Sequence, residues 1–174
     1  MNRVILLGLL VLLGGCSKIE KESKEAVLSI LKDPESAQFQ NVKGVCGEVN
    51  SKNSYGGYTG FNRFIVINNR AVLESDSEED TLPFQLNWMA YCSKNESNDD
   101  ERSQCVDNAE TSAAAFKANE RGVTIQEVKE AIRNVDNNKE SIKVGDKLID
   151  EAYASKFKSA DMHALEVLNN CLKH

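Results

Sequence analysis

Histidine, proline and tryptophan are scarce in this chain: two, two and one among 174 residues. The shortage of histidine bears on chemistry first. A Ser-His-Asp site would have to use His163 or His174. His163 stands among Met162, Ala164 and Leu165 on an expected helix, where it reads as a surface residue. Nothing around either histidine resembles a nucleophile elbow, so no catalytic residue is expected. Phosphate cradles are missing too: Gly56-Gly57-Tyr58-Thr59-Gly60 has neither GxGxxG spacing nor a following P-loop lysine. The cysteines show no CxxC pattern, which argues against zinc. The acidic run Glu74 to Asp80 lacks the central glycine and the bidentate glutamate of a calcium loop, and reads as a solvated loop, as does Asn98 to Glu101. No pair of carboxylates stands out for glycoside hydrolysis. The sequence therefore calls for no cofactor and no metal. Positive charge is also short, with 21 basic against 27 acidic side chains. Such a surface repels phosphate backbones, so nucleic acid is not an expected partner.

Long apolar runs are absent as well. Spanning a bilayer takes ~20 apolar residues, and Val4 to Leu13 is half that length. Arg3 precedes this run and Leu13-Gly14-Gly15-Cys16 follows it, the order of a signal peptide with small residues before a cleavage point. The segment resembles the bacterial lipobox read by signal peptidase II. That resemblance implies cleavage before Cys16, a thioether-linked diacylglycerol on the Cys16 sulfur, and a lipid anchor at the bacterial cell envelope. Ser17 in the next position implies, by the same resemblance, the outer membrane with the body facing the periplasm. Several acyl chains hold far better than one. Removing residues 1–15 leaves 159 residues and takes Arg3 away, so 20 basic side chains face 27 acidic ones, a net charge of −7. That charge disfavours broad adhesion to anionic lipid and leaves the membrane contact to the anchor.

Besides Cys16 there are four cysteines: Cys46, Cys92, Cys105 and Cys171. An even number in an oxidising compartment predicts two disulfides. Three pairings are possible. The preferred one is Cys46–Cys92 with Cys105–Cys171, one bond per half of the chain. The second closes the longer loop and is expected to stabilise by ~4 kcal/mol.

The predicted fold class is α+β: a small antiparallel hairpin or sheet with helices, followed by an all-α, disulfide-stapled bundle. The expected units are the signal peptide (1–15), a lipidated tether and short helix (16–32), an α+β domain (33–94) and a helical domain (103–174). Ala26, Val27, Ile30 and Leu31 have helical spacing, and Asp33-Pro34 ends that helix. Phe39 to Val49 reads as one strand bulged at Gly44. Phe61 to Asn68 alternates, with Asn68-Asn69 as a hairpin turn and Ala71 to Glu74 as the returning strand. Leu82 to Cys92 fits either a strand or a helix, and helix is preferred because Pro83 suits a first turn. The polar stretch Asn95 to Arg102 reads as a boundary. A helix is then expected from Cys105 to Arg121, stopped by Gly122. Thr124 and Glu127 form a capping box for the next. Another is expected from Ile142 to Phe157, with Val144, Leu148, Ile149, Ala152 and Tyr153 on one face. Ser159 caps the last, which carries Met162, Leu165, Leu168 and Cys171. A core this small needs its staple.

The candidate binding loop lies between the strands. Tyr55, Tyr58 and Phe61 sit on a glycine-rich loop beside Lys52, Asn53 and Arg63. Tyrosine and arginine combine area with a polar handle and are favoured at interfaces. The competing expectation is that the rings fold back to cap the sheet.

Asp33-Pro34-Glu35-Ser36-Ala37-Gln38-Phe39 and Val45 to Phe64 follow the patterns DPxSAxF and VCGExNxKNSxGGYxGFxxF. In these two segments the chain resembles a family of uncharacterised bacterial and prophage-linked exported lipoproteins. The resemblance implies no activity. The functional expectation is a non-catalytic protein-binding module of inhibitor, immunity or exclusion type, facing an envelope protein or an incoming one. The alternatives are an envelope hydrolase acting on peptidoglycan or lipid, and a passive structural protein.

Overall fold

Phe64, Ile65 and Val66 follow one another in sequence and are all buried, which in a strand requires cover on both faces. The computed structural model, which describes residues 18–77, 81–93, 97–135 and 138–173, supplies that cover. Four antiparallel strands lie in sequential order: β1 (Gln38–Lys43), β2 (Cys46–Asn50), β3 (Asn62–Ile67) and β4 (Arg70–Leu73). Helix α1 (Lys18–Leu28) lies on one face, where Val27 packs with Val49, Phe64 and Val66. Helix α2 (Leu82–Cys92) lies on the other, where Phe84 and Trp88 meet Cys46, Ile65 and Ile67.

The second half is helical, as expected: α3 (Asp99–Glu120), α4 (Ile125–Val135), α5 (Lys139–Tyr153) and α6 (Ala160–Cys171). Alanines at 109, 113 and 115 keep α3 slim, so that α5 and α6 approach it closely. Leu82, Leu86 and Ala90 of α2 enter this same core. The fold is thus α+β, with two disulfides, Cys46–Cys92 and Cys105–Cys171. The second joins α3 to α6.

Several expectations meet the structure intact. Asn68 and Asn69 turn β3 into β4 with φ of 50° and 60°. The Thr124–Glu127 box closes with Thr124 N–H donating to Glu127 Oε2 at 2.8 Å and Glu127 N–H to Thr124 Oγ at 3.3 Å. Ser159 Oγ accepts from Met162 N–H at 3.3 Å. Gly122, at φ 78°, ends α3 with its N–H on the Asn119 carbonyl and that of Val123 on Ala118, the 5→2 and 6→1 pattern of a Schellman stop.

Four expectations are corrected. Phe39 to Val49 is not one strand but a hairpin. Gly44, at φ 57°, makes the turn between Lys43 and Cys46, while the bulge falls at Asn41, at φ 54°. Helix α1 is already formed at Lys18, in the stretch read as beginning with a tether, and it ends at Leu28, before Ile30, Leu31 and the Asp33-Pro34 stop. Helix α3 starts at Asp99, inside the stretch read as a boundary. Asn98 and Glu101 form a capping box there, and Asp99 and Asp100 sit well at the positive end of the helix dipole. Helix α5 runs three residues earlier than expected and stops at Tyr153, because Asn138 caps its start.

Gly47 on β2 is fixed by packing. A Cβ there would stand 2.6 Å from Cζ of the fully buried Phe64. The ring has nowhere to go, because Phe39 meets it edge-on at 5.9 Å. Gly47→Ala is expected to lower the unfolding free energy by about 1–3 kcal/mol, read as a shift of the urea midpoint at unchanged slope.

Candidate functional site

The segment from Asn50 to Phe61 connects β2 to β3 at one end of the sheet. Its backbone is tied down by its own polar residues. Asn53 N–H donates to the Gly57 carbonyl at 2.9 Å, and the Asn53 carbonyl accepts from Gly56 N–H at 2.9 Å. The Asn53 side-chain oxygen accepts from Tyr55 N–H at 3.0 Å and Gly57 N–H at 3.2 Å. Asn50 Oδ1 accepts from Gly60 N–H at 3.0 Å, and Thr59 N–H reaches the Ser51 carbonyl. Gly56 and Gly60, at φ 79° and 92°, take backbone angles that side chains disfavour. Two further bonds hold the loop from outside, one of them from Gln38 Nε2 to the Tyr58 hydroxyl at 3.4 Å. Ser36 Oγ, on the short 3₁₀ turn after Pro34, accepts from Lys52 N–H at 2.9 Å.

On this fixed frame the rings stand outward. Tyr55 is 98% exposed, Tyr58 49% and Phe61 47%. Lys52 lays its ammonium 5.6 Å from the Tyr58 ring centre, and the two residues form an isolated antiparallel bridge. The structure therefore brings Lys52, Asn53, Tyr55 and Tyr58 together on one loop, with Phe61 at its base. Asn53 builds the loop, and Tyr55 is presented by it. The expectation that the rings cap the sheet fails for Tyr55, whose ring touches little but solvent.

Arg63 does not join this group. It points to the α2 face of the sheet, where its Nε donates to Glu74 Oε2 at 2.8 Å and its Nη2 to Glu74 Oε1. The guanidinium lies 4.8 Å from the Trp88 ring centre and 5.5 Å from that of Phe84. Its hydrogen bond to Glu74 raises the Arg63 pKa, and the same bond, aided by Gln85, holds the Glu74 carboxyl below the usual range. The sequence did not show this pair because its members lie on different elements.

His163 is also relocated. It is 6% exposed and lies between the rings of Phe116 and Phe157, at 5.8 and 5.7 Å. Ser112 Oγ is 2.8 Å from its Nε2, and Ser155 Oγ 3.2 Å from its Nδ1. The surface assignment is thus wrong: the buried stripe of α6 runs Ala160, His163, Ala164, Leu168, while Met162 is half exposed. The arrangement looks like a Ser-His pair, but two features set it apart. Ser112 is fully buried, so no solute reaches its hydroxyl. A serine, not a carboxylate, occupies the other nitrogen. Burial pushes the His163 pKa down, and the opposing pull of Glu151 is weaker. The imidazole is held neutral, as a polar bolt between α3 and α6.

Among the described residues no three His, Cys, Asp or Glu side chains converge as a metal site. Glu74 of the acidic run is engaged by Arg63, and Glu78, Glu79 and Asp80 lie outside the described residues. Cys16, the lipidation candidate, and His174 lie outside them too. Among the described residues no helix is long and apolar enough to cross a membrane. Comparison of the chain with protein-family models, with curated proteins and with solved structures finds no match.

The depressed pKa of His163 sets a pH dependence. The unfolded chain takes up a proton near pH ~6.5, before the folded one does, so stability is full above that value and falls as pH drops below it. Urea unfolding at pH 7.5 and 5.0 should show a lower midpoint at 5.0. The drop should shrink in His163→Gln, whose side chain does not titrate.

Proposed function

We propose that this chain is an exported lipoprotein, cleaved before Cys16, lipidated there and held at the bacterial cell envelope, and that it works as a non-catalytic protein-binding module. The outer membrane, with the body on the periplasmic side, is the proposed location, on the strength of Ser17. The lipobox-like segment supports the address, and two disulfides fit an oxidising compartment. The resemblance to exported, prophage-linked lipoproteins points the same way.

The observation that carries the binding reading is Tyr55: a tyrosine 98% exposed on a loop whose backbone is already fixed by Asn50, Asn53 and Ser36. An aromatic ring left in water has a cost that contact with a partner recovers. Fixing the loop beforehand removes much of the ordering entropy that association otherwise demands. Tyr58, Phe61 and Lys52 extend the patch with apolar area and one cation. The partner is a protein of the envelope or one that enters it. The hydrolase alternative would need a substrate to reach the buried Ser112–His163 pair or a convergent pair of acids, and no observation favours it over the loop.

The test is capture from envelope extract by the soluble, oxidised protein that begins after Cys16, beside two variants. Tyr55→Ala/Tyr58→Ala is expected to lose a captured protein with an unchanged melting temperature. Arg63→Ala, which leaves Glu74 with Gln85 alone and uncovers one face of Trp88, is expected to cost about 1–2 kcal/mol of stability while keeping capture. Undiminished capture by the tyrosine variant would remove the loop from the proposal.

A further inference from the structure

The two ends of the sheet differ in what they carry and in how close they lie to the anchor. Helix α1 is already formed at Lys18, the first described residue and two residues after Cys16 in sequence. Two residues span at most ~7 Å even when fully extended. A lipid on Cys16 therefore holds the first turn of α1 at the bilayer surface, with no slack for a tether. Ile19, in that first turn and 53% exposed, lines a concavity together with Lys43, Gly44, Ile67 and Asn68. Those residues form the two tight turns, β1–β2 and β3–β4, at one end of the sheet. The helix then runs along the sheet to its opposite end, where the chain turns through Pro34 and Ser36 bonds to Lys52. That opposite end carries the Tyr55 loop. Five- and six-residue strands separate the two ends by ~17–20 Å, and α1, with eleven residues at ~1.5 Å each, covers a similar distance.

Resting on the lipoprotein reading, we infer that the anchored chain contacts the bilayer through the end of the sheet bearing the Lys43-Gly44 and Asn68-Asn69 turns, and points its Tyr55 loop away from the lipid. The other posture, with α1 flat on the surface, is opposed by the helix's outer face. That face is laced by Lys18–Glu22 and Lys21–Glu25 pairs and shows no apolar stripe to bury in the interface. The contacting end carries a small positive excess: Lys18, which pairs with Glu22, and Lys43, Arg70 and Arg102 stand against Asp99 and Asp100. The short covalent link sets the posture, and the small positive excess favours the same end on an anionic surface. The loop is then offered to a partner in the aqueous space rather than to lipid headgroups.

The test uses the full lipidated chain in phosphatidylcholine/phosphatidylglycerol vesicles that carry a nitroxide on the headgroup of a minor lipid. A fluorescent amino acid is placed at the exposed positions 43, 70 or 55, one per sample. Quenching severalfold stronger at 43 and 70 than at 55, at low and at high salt alike, is the expected result. Two sites at the turn end guard against one label disturbing the fold. Equal quenching at all three, or stronger quenching at 55, overturns the posture while leaving the anchor standing. Protein that washes off the vesicles as readily as a Cys16→Ala variant overturns the anchor, and the posture with it.

Discussion

Leu82 to Cys92 carries apolar side chains around most of its circumference, and in water such a helix has no stable resting place. The protein resolves this by giving the helix two neighbours. Phe84 and Trp88 close the face of the sheet, while Leu82, Leu86 and Ala90 complete the helical core. Cys92 is bonded to Cys46 on β2, and Arg63 reaches across from β3 to stack on Trp88. Withdrawal of this one helix would expose the sheet on one side and open the bundle on the other. The rest of the molecule depends on that shared burial, and the two disulfides sit where it is most needed, at the helix's end and across the bundle.

The same double burial explains why this segment reads both as a strand and as a helix in sequence. Periodicity reports one buried face, and this element has two. Where one face is buried and the ends are marked, the sequence was legible. Phe61 to Asn68 alternates and ends in two asparagines that tolerate positive φ, and Thr124, Gly122 and Ser159 mark helix ends chemically. The β1–β2 hairpin was hidden because Phe39, Val42, Val45 and Val49 are spaced three and four apart, which disguises the turn at Gly44. Asn98 and Glu101 did signal the start of α3, but in a run so polar that it read as a boundary. On α6 the error was one of phase. Large apolar residues suggested a stripe through Met162, whereas the buried stripe uses small alanines and His163, whose partner Ser112 lies far away in sequence.

The candidate loop was legible as a place but not as a geometry. Sequence marked its glycines and rings; it did not distinguish Asn53, which builds the loop, from Tyr55, which the loop displays, nor did it show that Arg63 turns to the other face. Much of the patterned segment around the loop proves architectural. Asp33 caps a turn, Ser36 bonds to Lys52, Gly47 yields room to Phe64, and Asn50 and Asn53 hold the backbone. What those residues leave over, solvent-facing and without an internal task, is the ring of Tyr55.

The disulfide connectivity has a consequence for how such a chain comes to be made. In order of synthesis the first of the four cysteines pairs with the second, and the third with the fourth. A polypeptide threaded amino end first into an oxidising space presents Cys46 and Cys92 before the others have crossed. With the chain exported and Cys16 taken up by lipid, as proposed, the earliest bond the chemistry can form is then the native one, and the next pair to arrive has only each other. Nested or crossed connectivity would leave early wrong bonds to be exchanged for right ones; under the proposed export, sequential connectivity makes the order of arrival itself the proofreader.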